Sequence, residues 1–230
     1  MRGWVTGALD YQDDAAHRLY ASLVDSAIAR SLDLDGYVVV ADVVGADEAV
    51  AAWQACVAAL ADTGGQERTG DKTVSGTRRL VELAERLPAV ADLVRRPPLV
   101  EAAAHVLGRP AELGALTYRA PQPGFGAQRL HADAAFPAGP GRWTGVAAIV
   151  ALVEFTAQNG ATRVVPGSHL EPRLAARAAT MEHHPAERLF TAPAGSVLVF
   201  NAHLLHSGTP NRSAQPRHAL QATYRPRNGR

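Results

Sequence analysis

Apolar residues recur at helical spacing over Tyr11–Arg30 and again over Ala46–Ala61, with Ala and Leu filling much of both stretches, so a helix is predicted in each. Between them the β-branched run Gly36-Tyr37-Val38-Val39-Val40 reads as a short strand after a turn. The segment Asp62–Thr77 is polar and rich in Gly and Thr, a loop suited to act as a lid. Leu80–Leu107 returns to a helical pattern, interrupted at Pro88 and Pro97-Pro98 and closed by Gly108, a good C-cap residue. From Leu113 onward the texture changes. Leu113–Arg119, Gly145–Phe155, Thr162–Val165, Gly195–Phe200 and His218–Tyr224 are short apolar runs separated by turns rich in Gly, Pro and Asn. Pro172–Glu187 reads as a helical or irregular excursion. The expected fold class is mainly β with a helical N-terminal part, a jelly-roll or cupin-like barrel flanked by α-helices. All 230 residues are assigned to one domain, with 1–110 as mainly helical support and 111–230 as mainly β-barrel core.

Composition narrows this modestly. Apolar residues make up 47% of the chain, enough for a sizeable core and too many for a disordered one. No apolar run reaches the eighteen or so residues of a membrane span, and Met1–Asp14 lacks the layout of a secretory signal. The lone Cys56 fits a reducing cytoplasm and a place in the core. A net charge of +1 argues against nucleic-acid or membrane-surface partners. Charge is uneven, however: residues 1–120 carry 12 basic and 17 acidic side chains, whereas 121–230 carry 11 and 5. A basic C-terminal half suits a small anionic ligand. Nothing in the sequence speaks to oligomeric state.

The chemistry enters at His131-Ala132-Asp133. In an extended segment residues i and i+2 share a face, so an imidazole and a carboxylate can converge on one point. Two histidines and one carboxylate on one face of Fe(II) form a facial triad with three positions open. His203 and His206, both after the strand run Gly195–Phe200, are candidates for the second histidine on chemistry alone. His206 adjoins the turn that begins at Ser207-Gly208, where functional groups tend to be held. Arg217 then opens the apolar run His218–Tyr224. A guanidinium entering a strand needs an anionic partner, and its planar fork suits a carboxylate.

These pieces occur in a definite order. His131-x-Asp133 is followed by Asn159-Gly160-Ala161-Thr162-Arg163-Val164-Val165-Pro166-Gly167-Ser168-His169, then Gly195–Phe200, then His206-Ser207-Gly208 with Asn211, then Arg217. Together with Asp35–Val40 and the Leu-rich stretch ending at Gly108, the set resembles the phytanoyl-CoA dioxygenase family over about residues 33 to 225. The resemblance implies a double-stranded β-helix that uses Fe(II), 2-oxoglutarate and O2. Carried over by motif, His131, Asp133 and His206 become the metal ligands and catalytic residues, and Arg217 the clamp on the distal carboxylate of 2-oxoglutarate. His169 becomes part of a structural turn, and His203 a buried neighbour. Tyr118, Arg119, Gln128 and Thr162 are candidates for further cosubstrate contacts, none of them fixed by motif.

The implied function is oxidation of a C–H bond in a small metabolite of natural-product type, hydroxylation being the default and epimerisation, desaturation or cyclisation the alternatives. Because Asp133 is present, no halide position is expected on the metal. The chain reads as short for the family, with little room for a CoA-binding region. Phe136 and Trp143 are candidates to line a pocket, and Arg142 to meet an anionic substrate. Competing readings are a non-redox, metal-dependent isomerase or hydrolase of cupin type and a non-catalytic small-molecule binder. Arg217 at its motif position separates the first from an oxygenase, and the complete ligand set argues against the second.

Overall fold

The computed structural model describes residues 25–62, 76–135, 143–174 and 183–227. In chain order the elements are α1 (Ser26–Leu34), β1 (Tyr37–Val40), α2 (Ala46–Asp62), β2 (Thr77–Leu80), α3 (Leu83–Arg86), α4 (Pro88–Val94), α5 (Pro97–Leu107), β3 (Ala111–Pro121), β4 (Val146–Ala151), β5 (Thr162–Val164), β6 (Arg188–Leu189), β7 (Val197–Asn201), β8 (His206–Gly208) and β9 (Ala219–Pro226). Two antiparallel sheets result. The larger runs β1-β7-β4-β9-β3-β2 and the smaller β6-β5-β8. This is a jelly roll of the class expected from the run of short strands, the double-stranded β-helix that the family resemblance implies.

Pleat parity splits the large sheet into two apolar faces. Leu80, Tyr118, Val146, Ala148, Val150, Val197, Val199, Leu220, Ala222 and Tyr224 share one core with the helices. Ala147, Ile149, Ala151, Leu198, Phe200 and Ala219 point the other way, into a second core with Phe155, Val164 and Phe190. Buried on both faces, the central strand β4 is a continuous apolar run, VAAIVA, without the alternation of a half-exposed strand. Helix α5 lies against the outer face with Leu99 and Ala102 through Leu107 all buried. Removing such a side chain, as in Leu99→Ala, typically costs about 2–5 kcal/mol. Tyr224 Oη donates to the Val94 carbonyl at 2.6 Å and ties β9 to the helical layer.

Several boundaries moved relative to the sequence reading. Prolines 88 and 97 start helices α4 and α5 rather than interrupting one, because a proline at the first helical position loses no hydrogen bond. Gly108 does close α5, in the left-handed conformation. Leu80 belongs to strand β2, which the sequence reading missed: its Thr-Arg-Arg-Leu hides the usual alternation. The predicted N-terminal helix is observed as α1 from Ser26 to Leu34. Its expected part before residue 25 lies outside the described residues, as do the proposed lid at 63–75, Phe136, Arg142 and residues 175–182. No helix of the described residues is long and apolar enough to cross a membrane.

Candidate metal centre

His131 and His206 are brought together by a bridge between strands. The His131 N–H donates to the His206 carbonyl at 3.0 Å and the His206 N–H returns to the His131 carbonyl at 2.9 Å. Directly paired residues in an antiparallel ladder place their side chains on the same face, and the two rings lie 4.5 Å apart between centroids. His206 opens strand β8 in the small sheet, so the Ser207-Gly208 read as a turn continues that strand. The backbone also orients each ring. Nδ1 of His131 bonds the carbonyl of Arg129 at 2.8 Å, and Nδ1 of His206 that of Leu204 at 3.0 Å. A carbonyl only accepts, so both Nδ1 atoms carry the proton and both Nε2 lone pairs are free.

Asp133 completes the cluster. Its carboxylate oxygens lie 3.7 Å from His131 Nε2 and 3.6 Å from His206 Nε2. One ligand atom from each residue falls within a 4.8 Å set, and among the described residues this is the one group of three such side chains so placed. These separations are too long for hydrogen bonds and suit three donors around one cation, each about 2.0–2.2 Å from it. Burial, opposed by the nearby Asp133 and joined by His131, holds the His206 pKa down at about 4. The imidazole is therefore neutral at pH 7, the form that binds a metal.

A cleft of about 480 Å³, counting the solvent at its mouth, adjoins His206 on the inner face of the large sheet, and Arg217 lines it. Arg217 is only 6% exposed. It donates through Nη1 to the Gly160 carbonyl at 2.6 Å and stacks over Phe155, its Cζ 4.4 Å from the ring centroid. Its Nε is buried with no hydrogen-bond partner, and no carboxylate of the described residues pairs with it. Burial, aided by the charge of Arg119, holds its pKa down at about 9. Such a charge is costly without a counter-ion. A bound carboxylate would supply one, so the donor set and the orphaned guanidinium fit a metal with a dicarboxylate cosubstrate.

The other sequence candidates divide. Thr162, buried on β5, and Gln128 both line the cleft. Gln128 Oε1 accepts from the Gly208 N–H at 3.1 Å, and its amide nitrogen makes no bond among the described residues. Arg119 also lines the cleft, its Nη1 donating to Gln221 Oε1 at 2.6 Å. Tyr118 does not. One residue away on the same strand, it points to the outer face, where its hydroxyl bonds His218 Nδ1 at 2.5 Å and its ring stacks on that imidazole. Its expected cosubstrate contact is thus corrected by the parity of β3. His203 is fully buried and bonded to Asn201 Oδ1 at 2.8 Å, while His169 packs near the Asp33 carbonyl. Trp143 lies 5.1 Å from the His203 ring and 5.5 Å from the His169 ring, in the core rather than in the cleft. Thr77 and Gln221 also line the cleft, and the sequence reading missed both. Thr77 is readable only once β2 is known to exist and to pair with β3, and Gln221 only once the β3–β9 register is known.

A model of the phytanoyl-CoA dioxygenase family matches residues 32–219. The chain belongs to this family. The matched region contains the histidine–aspartate–histidine cluster and Arg217. A curated member, dioxygenase trt7 of Aspergillus terreus, is 28% identical over 228 residues, covering 91% of this chain and 76% of its own. Among solved structures, the 2-oxoglutarate-dependent epimerase SnoN of nogalamycin biosynthesis is 26% identical with a TM-score of 0.71, over 90% of this chain and 83% of that one. The carbocyclase SnoK from the same biosynthesis shares the fold at a TM-score of 0.74 and 20% identity, over 90% and 85%.

Proposed function

We propose that this protein is an Fe(II)- and 2-oxoglutarate-dependent dioxygenase that oxidises a C–H bond of a small metabolite, with His131, Asp133 and His206 holding the iron. The observation that carries the reading is the buried, acid-free guanidinium of Arg217 in a cleft that His206 also lines. A metal site for non-redox chemistry has no use for that second feature. Iron with 2-oxoglutarate and O2 supplies the oxidising power, the keto acid leaving as succinate and CO2.

The chain's own residues do the positioning. Backbone carbonyls of Arg129 and Leu204 fix both imidazoles, so the ligand atoms need little reorganisation. Arg217 would take the distal carboxylate through two parallel hydrogen bonds and hold the cosubstrate in one orientation. Thr162 and Gln128 line the same cleft, and the Thr162 hydroxyl and the Gln128 amide nitrogen would add further contacts. Ile149 and Ala219 line the same cleft and keep part of it apolar. Hydroxylation is the default outcome. The names of SnoN and SnoK assign epimerisation and ring closure to related folds, so those outcomes belong to the same proposal.

Anaerobic titration of the metal-free protein with Fe(II) and then 2-oxoglutarate tests this directly. A visible metal-to-ligand charge-transfer band is expected, weak or absent in Asp133→Ala. A wild-type protein that binds Fe(II) yet gives no band would overturn the proposal.

A further inference from the structure

Strand β2 contributes a second basic feature to the site. Arg79 stands directly opposite Arg119 in the β2–β3 ladder. Like charges facing each other across a ladder are destabilising; among the described residues neither arginine has an ion-pair partner, and the acidic group that acts on Arg119 is Asp133, which belongs to the metal cluster. Among the described residues the side chain of Arg119 bonds the neutral Gln221, and that of Arg79 bonds none. The Arg79 Nε is buried and unbonded, as is Oγ1 of Thr77, two residues earlier on the same face of β2. Thr77 and Arg119 line the cleft, whose lining includes no Asp or Glu.

Charge bookkeeping separates this pair from the cosubstrate, an argument that rests on the iron and 2-oxoglutarate reading above. The charges of Fe(II), one carboxylate ligand, doubly ionised 2-oxoglutarate and Arg217 cancel. Arg79 and Arg119 remain, two positive charges beside a site already neutral. From this we propose that Arg79, Arg119 and Thr77 form a subsite for a carboxylate on the substrate, so that the enzyme oxidises a small organic acid. A carboxylate between the two guanidinium groups would take charge-assisted hydrogen bonds from both and a third from the Thr77 hydroxyl. It would also set which C–H bond of the acid faces the metal. Arg79 and Arg119 are then specificity-determining residues.

The same carboxylate chemistry could come from 2-oxoglutarate itself, and the experiment separates the two sources. Acetate and its neutral counterpart acetamide are titrated anaerobically into the Fe(II) protein saturated with 2-oxoglutarate, with thermal stability and the charge-transfer band as readouts. Acetate, and not acetamide, is expected to stabilise the complex while the band persists. Arg79→Gln and Arg119→Gln should each weaken that acetate effect by about tenfold or more while the affinity for 2-oxoglutarate stays within about threefold of wild type. Three results overturn the subsite: no acetate effect in wild type, an acetate effect that 2-oxoglutarate abolishes by competition, or arginine variants that lose 2-oxoglutarate instead. If wild type forms no band at all, the iron and 2-oxoglutarate reading has failed. The acetate arm then still reports, through thermal stability, whether the arginine pair binds a carboxylate.

Discussion

His131 and His206 exchange both of their backbone hydrogen bonds, at 3.0 and 2.9 Å, so the placement of one imidazole beside the other is a property of sheet register. The two residues are 75 positions apart, and Asp133 reaches both because it follows His131 by two. A slip of one residue at this bridge would turn a histidine to the opposite face. The Nδ1 bonds to carbonyls two residues back then leave each Nε2 aimed at the shared point.

Asp133→Ala removes the carboxylate of this cluster. With two imidazoles left, Fe(II) affinity and succinate formation should each fall by at least about a hundredfold, beyond the usual loss for a residue that merely orients a ligand. Near-normal succinate formation in that variant would exclude Asp133 as a ligand.

Arg217→Met replaces an uncompensated buried charge with an apolar chain of similar length. Two effects of opposite direction are expected. Binding of 2-oxoglutarate should weaken by about 2–5 kcal/mol, thirtyfold or more. The protein without cosubstrate should melt no lower than wild type, since the buried cation no longer has to be desolvated. An unchanged affinity for 2-oxoglutarate would assign the guanidinium elsewhere.

The metal-free protein should lose stability in mild acid. The folded-state pKa of His206 is held down at about 4, against about 6.5 in the unfolded chain. Between those values the unfolded state binds the extra proton, so its stabilising contribution is complete above about pH 6.5 and is lost as pH falls toward 4. Burial also lowers the pKa of His169, His203 and His218, which adds to the effect with the same sign. Thermal midpoints between pH 7 and 4 should therefore decline less steeply for His206→Gln than for wild type. Parallel curves would remove His206 from the account.

Gly36 precedes β1 with a φ of +78°, and a Cβ there would stand 2.4 Å from Nδ1 of His169. Gly36→Ala should destabilise the fold by about 2 kcal/mol or more, through left-handed strain and the clash. For a chain of this size that corresponds to a drop of roughly 4 °C or more in melting temperature. Circular dichroism melts would detect it, and an unchanged midpoint would mean that neither the strain nor the clash acts.

Much of the candidate site is legible in the sequence. His131-x-Asp133 owes its geometry to local extended backbone, which a two-residue spacing expresses directly. Arg217 was conspicuous as a charge entering an apolar run. The choice between His203 and His206 was left open by chemistry alone, because both follow the same strand. In three dimensions the chain turns between them: His203 falls into the core beside Asn201, and His206 begins a strand in the other sheet.

What the sequence determined by itself is the set of functional groups and the class of fold, since strand runs, turn residues and ligand spacing are local patterns. Tertiary structure decided which face each group occupies. Tyr118 and Arg119 are adjacent in the chain, yet one packs toward the helices and the other toward the cleft, because the pairing of β3 with β9 sets the parity of every residue on the strand. The same holds for Arg79, whose place opposite Arg119 exists only through pairing of β2 with β3. Local propensity names the residues that could act; long-range register selects those that meet.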